Sequence, residues 1–170
     1  MGRPDLRLHV PFGSVNVSSC PSYREGWARH HITPVQCTRD DALGPFLLKL
    51  REDGFCMDDF GTNGVLLPML PSQSKISGLP LHLGGHPEYN ARFIEELNPI
   101  RVFCESIRSD SRRREVALSG VRGLQDRARK SIVTQRAGHI NRVVLTGRTD
   151  DELDGLITRL FTKRMNKPLI

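Results

Sequence analysis

Four of the six histidines of this chain fall in two short stretches. His30 and His31 lie in Trp27-Ala28-Arg29-His30-His31-Ile32-Thr33-Pro34; His82 and His86 lie in His82-Leu83-Gly84-Gly85-His86-Pro87-Glu88-Tyr89-Asn90. Between them runs Asn63-Gly64-Val65-Leu66-Leu67-Pro68. Neighbours on an extended segment point to opposite sides. One imidazole of the adjacent pair can therefore face a metal ion while the next faces solvent and a substrate water. Three neutral imidazoles can hold a borderline or hard cation and leave positions open for phosphate oxygens and water. His82 and His86 would share a face on a helix, but Gly84-Gly85 argues against a regular helix between them. His82 is expected in the loop leading in.

The elements that must position these residues follow from periodicity and punctuation. Residues 26–32 read as a short extended segment, with Pro34 pushing Thr33 away from helical geometry. Gly61-Thr62-Asn63-Gly64 signals a turn, and Val65-Leu66-Leu67 a brief strand stopped by Pro68. Pro87 suits the first turn of a helix carrying Tyr89, Phe93, Ile94 and Leu97, which Pro99 should end. Asp40 and Asp41 can cap a helix bearing Leu43, Phe46, Leu47 and Leu50. Three Pro or Gly breakers and several Ser predict a surface loop over 69–81.

Beyond Pro99 the chain reads as helical over 100–108 and again from Ser111 to Val133. In the second helix an apolar stripe is interrupted by Gly120 and Gly123. At the N-terminus Leu6, Leu8 and Val10 alternate with polar residues, and Val15-Asn16-Val17 can return as the second strand of a hairpin. His9 falls on the polar face of that first strand and is left out of the site; Trp27 and Tyr89 are read as packing residues. Residues 140–146 read as a strand and 153–163 as a closing amphipathic helix behind a capping box at Thr149-Asp150-Asp151-Glu152. The domain reading is a β-hairpin appendage at 1–22, a central domain at 23–135 and a strand–helix extension at 136–170.

A chain of 170 residues with 38% hydrophobic and 26% charged content can bury a core without staples. No apolar run approaches the ~20 residues that span a bilayer, and the first residues show no apolar signal-peptide region. The abrupt start suggests a piece of a longer protein. The net charge of +6 favours a polyanionic partner. Cys20, Cys37, Cys56 and Cys104 show no C-x-x-C spacing, which argues against a zinc knuckle or a redox pair.

The ordered set of His30-His31-Ile32-Thr33-Pro34, Asn63-Gly64 with Leu67-Pro68, and His82 through Asn90 resembles the AHH nucleases. These belong to the HNH/endonuclease VII (His-Me finger) superfamily and occur as toxin modules of bacterial polymorphic toxins. The resemblance covers about residues 24–110, with Arg29 standing where the family name implies Ala. It implies an α+β fold: a ββα-metal core embedded in a mainly helical domain, here flanked by the N-terminal β-hairpin and the C-terminal strand–helix. It implies that His31 is the general base, that His30, His82 and His86 hold one divalent metal ion (Mg2+, Zn2+ or another transition metal), and that Asn63 holds the loop and orients the base. Asn63 before Gly64 also suits a plain turn residue, and Asn90 is the alternative to His82 as a ligand.

The activity implied is metal-dependent endonucleolytic hydrolysis of nucleic acid, DNA in preference to RNA, by a one-metal mechanism. Arg112, Arg113 and Arg114 offer a phosphate-binding track, where a solvated helix face is the ordinary reading. The same resemblance implies a bacterial effector, secreted or delivered, that acts in the target-cell cytoplasm and is neutralised by an immunity protein. A rival reading from another class is a non-catalytic, zinc-stabilised nucleic-acid-binding module.

Overall fold

The computed structural model describes residues 8–145. Within them a two-stranded antiparallel sheet and five α-helices form an α+β fold. Strand β1 (Trp27–His31) pairs with β2 (Gly64–Pro68), with His30 opposite Val65 and His31 opposite Gly64. The helices are α1 (Leu43–Lys49), α2 (Phe60–Asn63), α3 (Pro71–Ser77), α4 (Pro87–Glu105) and α5 (Asp110–Thr134). None of the described helices is long and apolar enough to cross a membrane.

Helices α4 and α5 pack against each other. The buried face of α4 runs Tyr89, Phe93, Leu97, Ile100 and Cys104, and that of α5 runs Ala117, Val121, Leu124, Ala128 and Ile132. These 3-to-4 spacings are those of one helical stripe. Gly120, which interrupts the stripe on paper, marks the closest approach: a Cβ there would stand 2.8 Å from Ile100 Cγ2. Ile32 and Leu67 from the sheet and Leu43, Leu47 and Leu50 from α1 complete the core. Asp40 Oδ1 accepts from the Ala42 and Leu43 N–H groups at 2.9 Å each, the predicted acidic start of α1.

Several expectations are corrected. Pro99 does not end a helix; α4 runs through it to Glu105. Pro99 lies on the exposed face, where water can satisfy the carbonyl one turn back, and burial of Ile100 and Cys104 outweighs the ~3 kcal/mol a proline costs. The 69–81 loop contains α3, opened by Pro71 at its first turn and closed by Gly78 at φ 71°. The Gly61–Gly64 turn is one turn of helix α2, capped by Asp59. Gly64 follows it because a Cβ would overlap the Phe60 ring at 2.2 Å.

The N-terminal hairpin is not formed by the described residues. Pro11 breaks the segment, Phe12–Ser14 makes a 3-10 turn, and Pro11 forms a single bridge with Asp59. Asn16 adopts φ 51° and its amide bonds Arg24 and Trp27 instead of supporting a second strand. Leu6 lies outside the described residues. The predicted strand at 140–146 begins instead as a 3-10 turn, Ile140–Arg142, joined to the rest through a parallel bridge between Leu81 and His139. The predicted helix at 153–163 lies outside the described residues.

Candidate active site

The alternation of β1 separates the paired histidines. His30 is buried, 1% exposed, beneath the strand, while His31 is half-buried on the opposite side. His82 reaches His30 from the loop after α3, and His86 arrives as the residue that opens α4. Ring centroids stand 5.1 Å apart for His30 and His82, 4.8 Å for His30 and His86, and 5.0 Å for His82 and His86. One ring nitrogen from each lies within 4.8 Å of the others. Tyr89 packs edge-on to His30 at 5.0 Å and donates its hydroxyl to Ile32 O at 2.6 Å, the packing role expected of it.

The electrostatics keep these rings neutral. Burial, then the neighbouring imidazoles, hold His30 well below the usual histidine range. Burial and His86 push His82 down to about 4. His86 is lowered by burial, partly offset by its contact with Gly84 O. Both ring nitrogens of His30 are buried with no hydrogen-bond partner. Orphaned buried nitrogens are costly, and a cation shared by three neutral imidazoles would satisfy them. The donor set therefore fits a divalent ion of the imidazole-accepting kind.

Asn63 is fully buried where β1 ends. Its Oδ1 accepts from Thr33 N at 2.7 Å and from Gln125 Nε2 at 3.1 Å, and its Nδ2 donates to Met57 O at 3.1 Å. Its own carbonyl accepts from Ile32 N at 2.8 Å. It does not take a left-handed conformation, so it is not a turn residue of that kind. Helix α5 reinforces the corner: Arg129 donates to Gly64 O, Thr62 O and Gly61 O at 2.7, 2.9 and 3.0 Å. Asn63→Ala would strand the buried Thr33 N–H, remove one of the two acceptors of Gln125 Nε2 (which keeps Thr33 Oγ1 at 3.0 Å) and free Met57 O, and a buried group left without a partner costs about 1–3 kcal/mol. We expect a loss of about 2–4 kcal/mol in urea-induced unfolding; a loss under about 1 kcal/mol would contradict this role.

A cavity of about 740 Å³ opens over the histidines, lined among others by Arg29, His30, His31, Gln36, Arg39, His82, His86 and Asn90. The structure thus brings His30, His31, His82 and His86 to one opening, while Asn63 is buried at the end of β1 and does not line it. Asn90 lines the same opening; its Nδ2 donates to Gln36 Oε1 at 3.1 Å and its Oδ1 has no partner.

Arg112, Arg113 and Arg114 are not brought to the cavity. They sit at the start of α5, about 18 Å along the helix from Gln125 at 1.5 Å per residue. Arg112 pairs with Glu115 at 2.9 Å, Arg113 with Asp110 at 3.3 Å, and Arg114 with Asp53 at 3.6 Å.

Sequence reasoning missed three residues that hold this site. Gln125 had a visible signal, a polar residue beside Leu124 on an apolar stripe. Phe12 stacks on His31 and had none. His139 lies far along the chain: its Nδ1 accepts from Asn141 N at 3.2 Å, which leaves Nε2 to donate to Leu83 O at 3.3 Å within the His82–His86 loop. All four cysteines are free, and Cys37 and Cys104 are core residues.

A mainly helical α+β domain that gathers three imidazoles beneath a fourth has the make-up of a hydrolytic, metal-capable site. Residues 14–128, about two thirds of the chain, match a nuclease family of the HNH/ENDO VII superfamily with conserved AHH, and the chain belongs to that family. Comparisons with curated proteins and with solved structures gave no match. The matched span contains His30, His31, Asn63, His82 and His86, whereas Phe12 and His139 fall outside it.

Proposed function

We propose that this nuclease domain is a metal-dependent endonuclease that hydrolyses phosphodiester bonds, DNA in preference to RNA, and that β1, β2 and α4 constitute its ββα-metal core. The observation that carries the reading is the pairing of an orphaned, buried His30 within the His82–His86 cluster with an accessible His31 on the other side of the same strand. A structural zinc site has no use for that second imidazole.

In this reading His30, His82 and His86 hold the ion. When bound, the cation supplies positive charge to the scissile phosphate and to the oxygen that departs. His31 takes the proton from the attacking water. Burial lowers its pKa, the Asp58 carboxylate opposes that shift, and Arg29 adds to it. Asp58 thus favours the imidazolium that proton abstraction creates. Asn63, by pinning Thr33 N and Ile32 N, fixes the end of the strand on which both histidines ride. Arg29 and Arg39 on the cavity wall supply positive charge at the opening a polyanion would enter.

The toxin role follows from the resemblance alone: a bacterial effector, delivered to the target-cell cytoplasm and restrained by an immunity protein. The +6 charge suits an acidic inhibitor whose association is salt-sensitive. The direct test is incubation with plasmid DNA and with RNA, with and without EDTA, beside His31→Ala. Metal-dependent cutting that His31→Ala abolishes supports the reading. Metal binding without any cleavage would favour the zinc-stabilised binding module.

A further inference from the structure

We propose that Phe12 is a positioning residue for His31, which makes the arm at residues 8–14 part of the catalytic unit although it lies almost wholly before the family-matched span. The two rings are stacked, with centroids 3.7 Å apart and planes 4° from parallel. The inference rests on the reading of His31 as the general base.

A catalytic imidazole is ordinarily oriented by a hydrogen bond on its second nitrogen. Among the described residues no side-chain hydrogen bond holds the His31 ring. The stack does that work differently. It fixes the plane of the imidazole while leaving both in-plane nitrogens free, one to accept a proton and the other to meet water. A freely rotating ring would present its acceptor nitrogen to the cavity only part of the time, and small misplacements of a reacting group are costly.

Phe12 is itself locked, which a chance surface contact would not require. It is 7% exposed, and its ring meets Phe60 edge-on at 5.1 Å. Its N–H donates to Asp58 O at 3.0 Å, and its carbonyl accepts from Arg29 Nη1 at 2.6 Å. Two residues earlier, Val10 N donates to Asp59 Oδ1 at 3.1 Å and Val10 O accepts from Phe60 N at 2.7 Å. Asp59 also caps α2, which ends in Asn63. The arm is thereby tied to the same corner that holds the strand end. Arg29 occupies the position of the alanine in the family's conserved tripeptide, so this lock on Phe12 is built from a residue in which the chain departs from the family pattern.

The test uses the full chain, Phe12→Leu, His31→Ala and the double variant, with Mg2+ and a defined DNA duplex. An aromatic pair contributes about 0.5–1.5 kcal/mol beyond its buried area, which corresponds to roughly 2- to 12-fold. We expect Phe12→Leu to lower kcat about 5- to 10-fold by that measure, with KM and Zn2+ affinity unchanged. In the His31→Ala background, where only a residual rate is followed at high enzyme concentration, Phe12→Leu should have no further effect. An unchanged kcat in Phe12→Leu, or the same fold loss in both backgrounds, would overturn the proposal. Failure of the underlying reading looks different, because His31→Ala alone would then be fully active. On the unaltered, Zn2+-loaded chain, the His31 ring protons should show upfield ring-current shifts in the NMR spectrum. Resonances at ordinary histidine positions would also overturn it, whether or not Phe12→Leu folds.

Discussion

Replacing His31 with alanine is expected to lower phosphodiester cleavage by about 10²–10⁴-fold, the usual contribution of a positioned general base, while the protein still binds one divalent ion per chain. The expectation comes from the alternation of β1. His30 points beneath the strand into the cluster with His82 and His86, and His31 points away, stacked on Phe12. Removing the His31 imidazole leaves the three-ring cluster intact. The side chain is half-buried and its backbone pairs with Gly64, so alanine keeps the strand and its register. Calorimetric Zn2+ titration and a plasmid-nicking assay on the same preparation measure both quantities. Loss of metal in parallel with activity would show that His31 belongs to the ligand set.

The complementary expectation is that EDTA abolishes cleavage and that His86→Ala loses metal and activity together. His86 supplies one of only three imidazoles. Its removal should therefore weaken metal binding by more than the roughly 10–100-fold typical of residues that merely support a ligand. His86 opens α4 and is only half-buried, so its truncation leaves the helix and core in place. His30→Ala would be a poorer probe, since it also empties a buried position against Tyr89. Metal binding carries a second readout: an ion that binds only the folded chain adds about 2.7 kcal/mol of stability at a hundredfold excess over its Kd. Zn2+ should raise the thermal midpoint of the unaltered chain and leave that of His86→Ala nearly unmoved. Full cleavage in chelator, or an unshifted midpoint in both proteins, would end the metal-centred mechanism.

Periodicity and spacing in the sequence determined a good deal. Five residue types in order, the His30-His31 pair, Asn63-Gly64, Leu67-Pro68, His82 and His86-Pro87, were enough to place two short extended segments and a helix start. The structure forms them as β1, β2 and the opening of α4. The stripe on α5 was readable because burial on one helix face repeats every three to four residues, and Asp40 at the start of α1 because capping chemistry is local. Local pattern and structure part where distant partners decide. Pro99 carries a local cost that is visible in the sequence, while the burial that outweighs it comes from packing against α5. Alternation at the N-terminus predicts a hairpin, whereas Val10 N, Val10 O and Phe12 N bond Asp59, Phe60 and Asp58 across the chain.

The same division runs through the site. Which imidazoles are available, and that adjacent ones on a strand must diverge, is legible from residue order, because side-chain direction in a strand follows from backbone geometry alone. Which of them meet depends on long-range packing. His82 joins His30 and His86 because the segment after α3 is held by the Leu81–His139 bridge and by His139 on Leu83 O. His31 is held by a ring 19 residues earlier, and Asn63 by a glutamine 62 residues later. Arg112, Arg113 and Arg114 are adjacent in the chain and yet stand away from the cavity, engaged with Glu115, Asp110 and Asp53. Contacts across such separations carry no local signature, since the chain between the partners can be closed in many ways and only the packed core selects one.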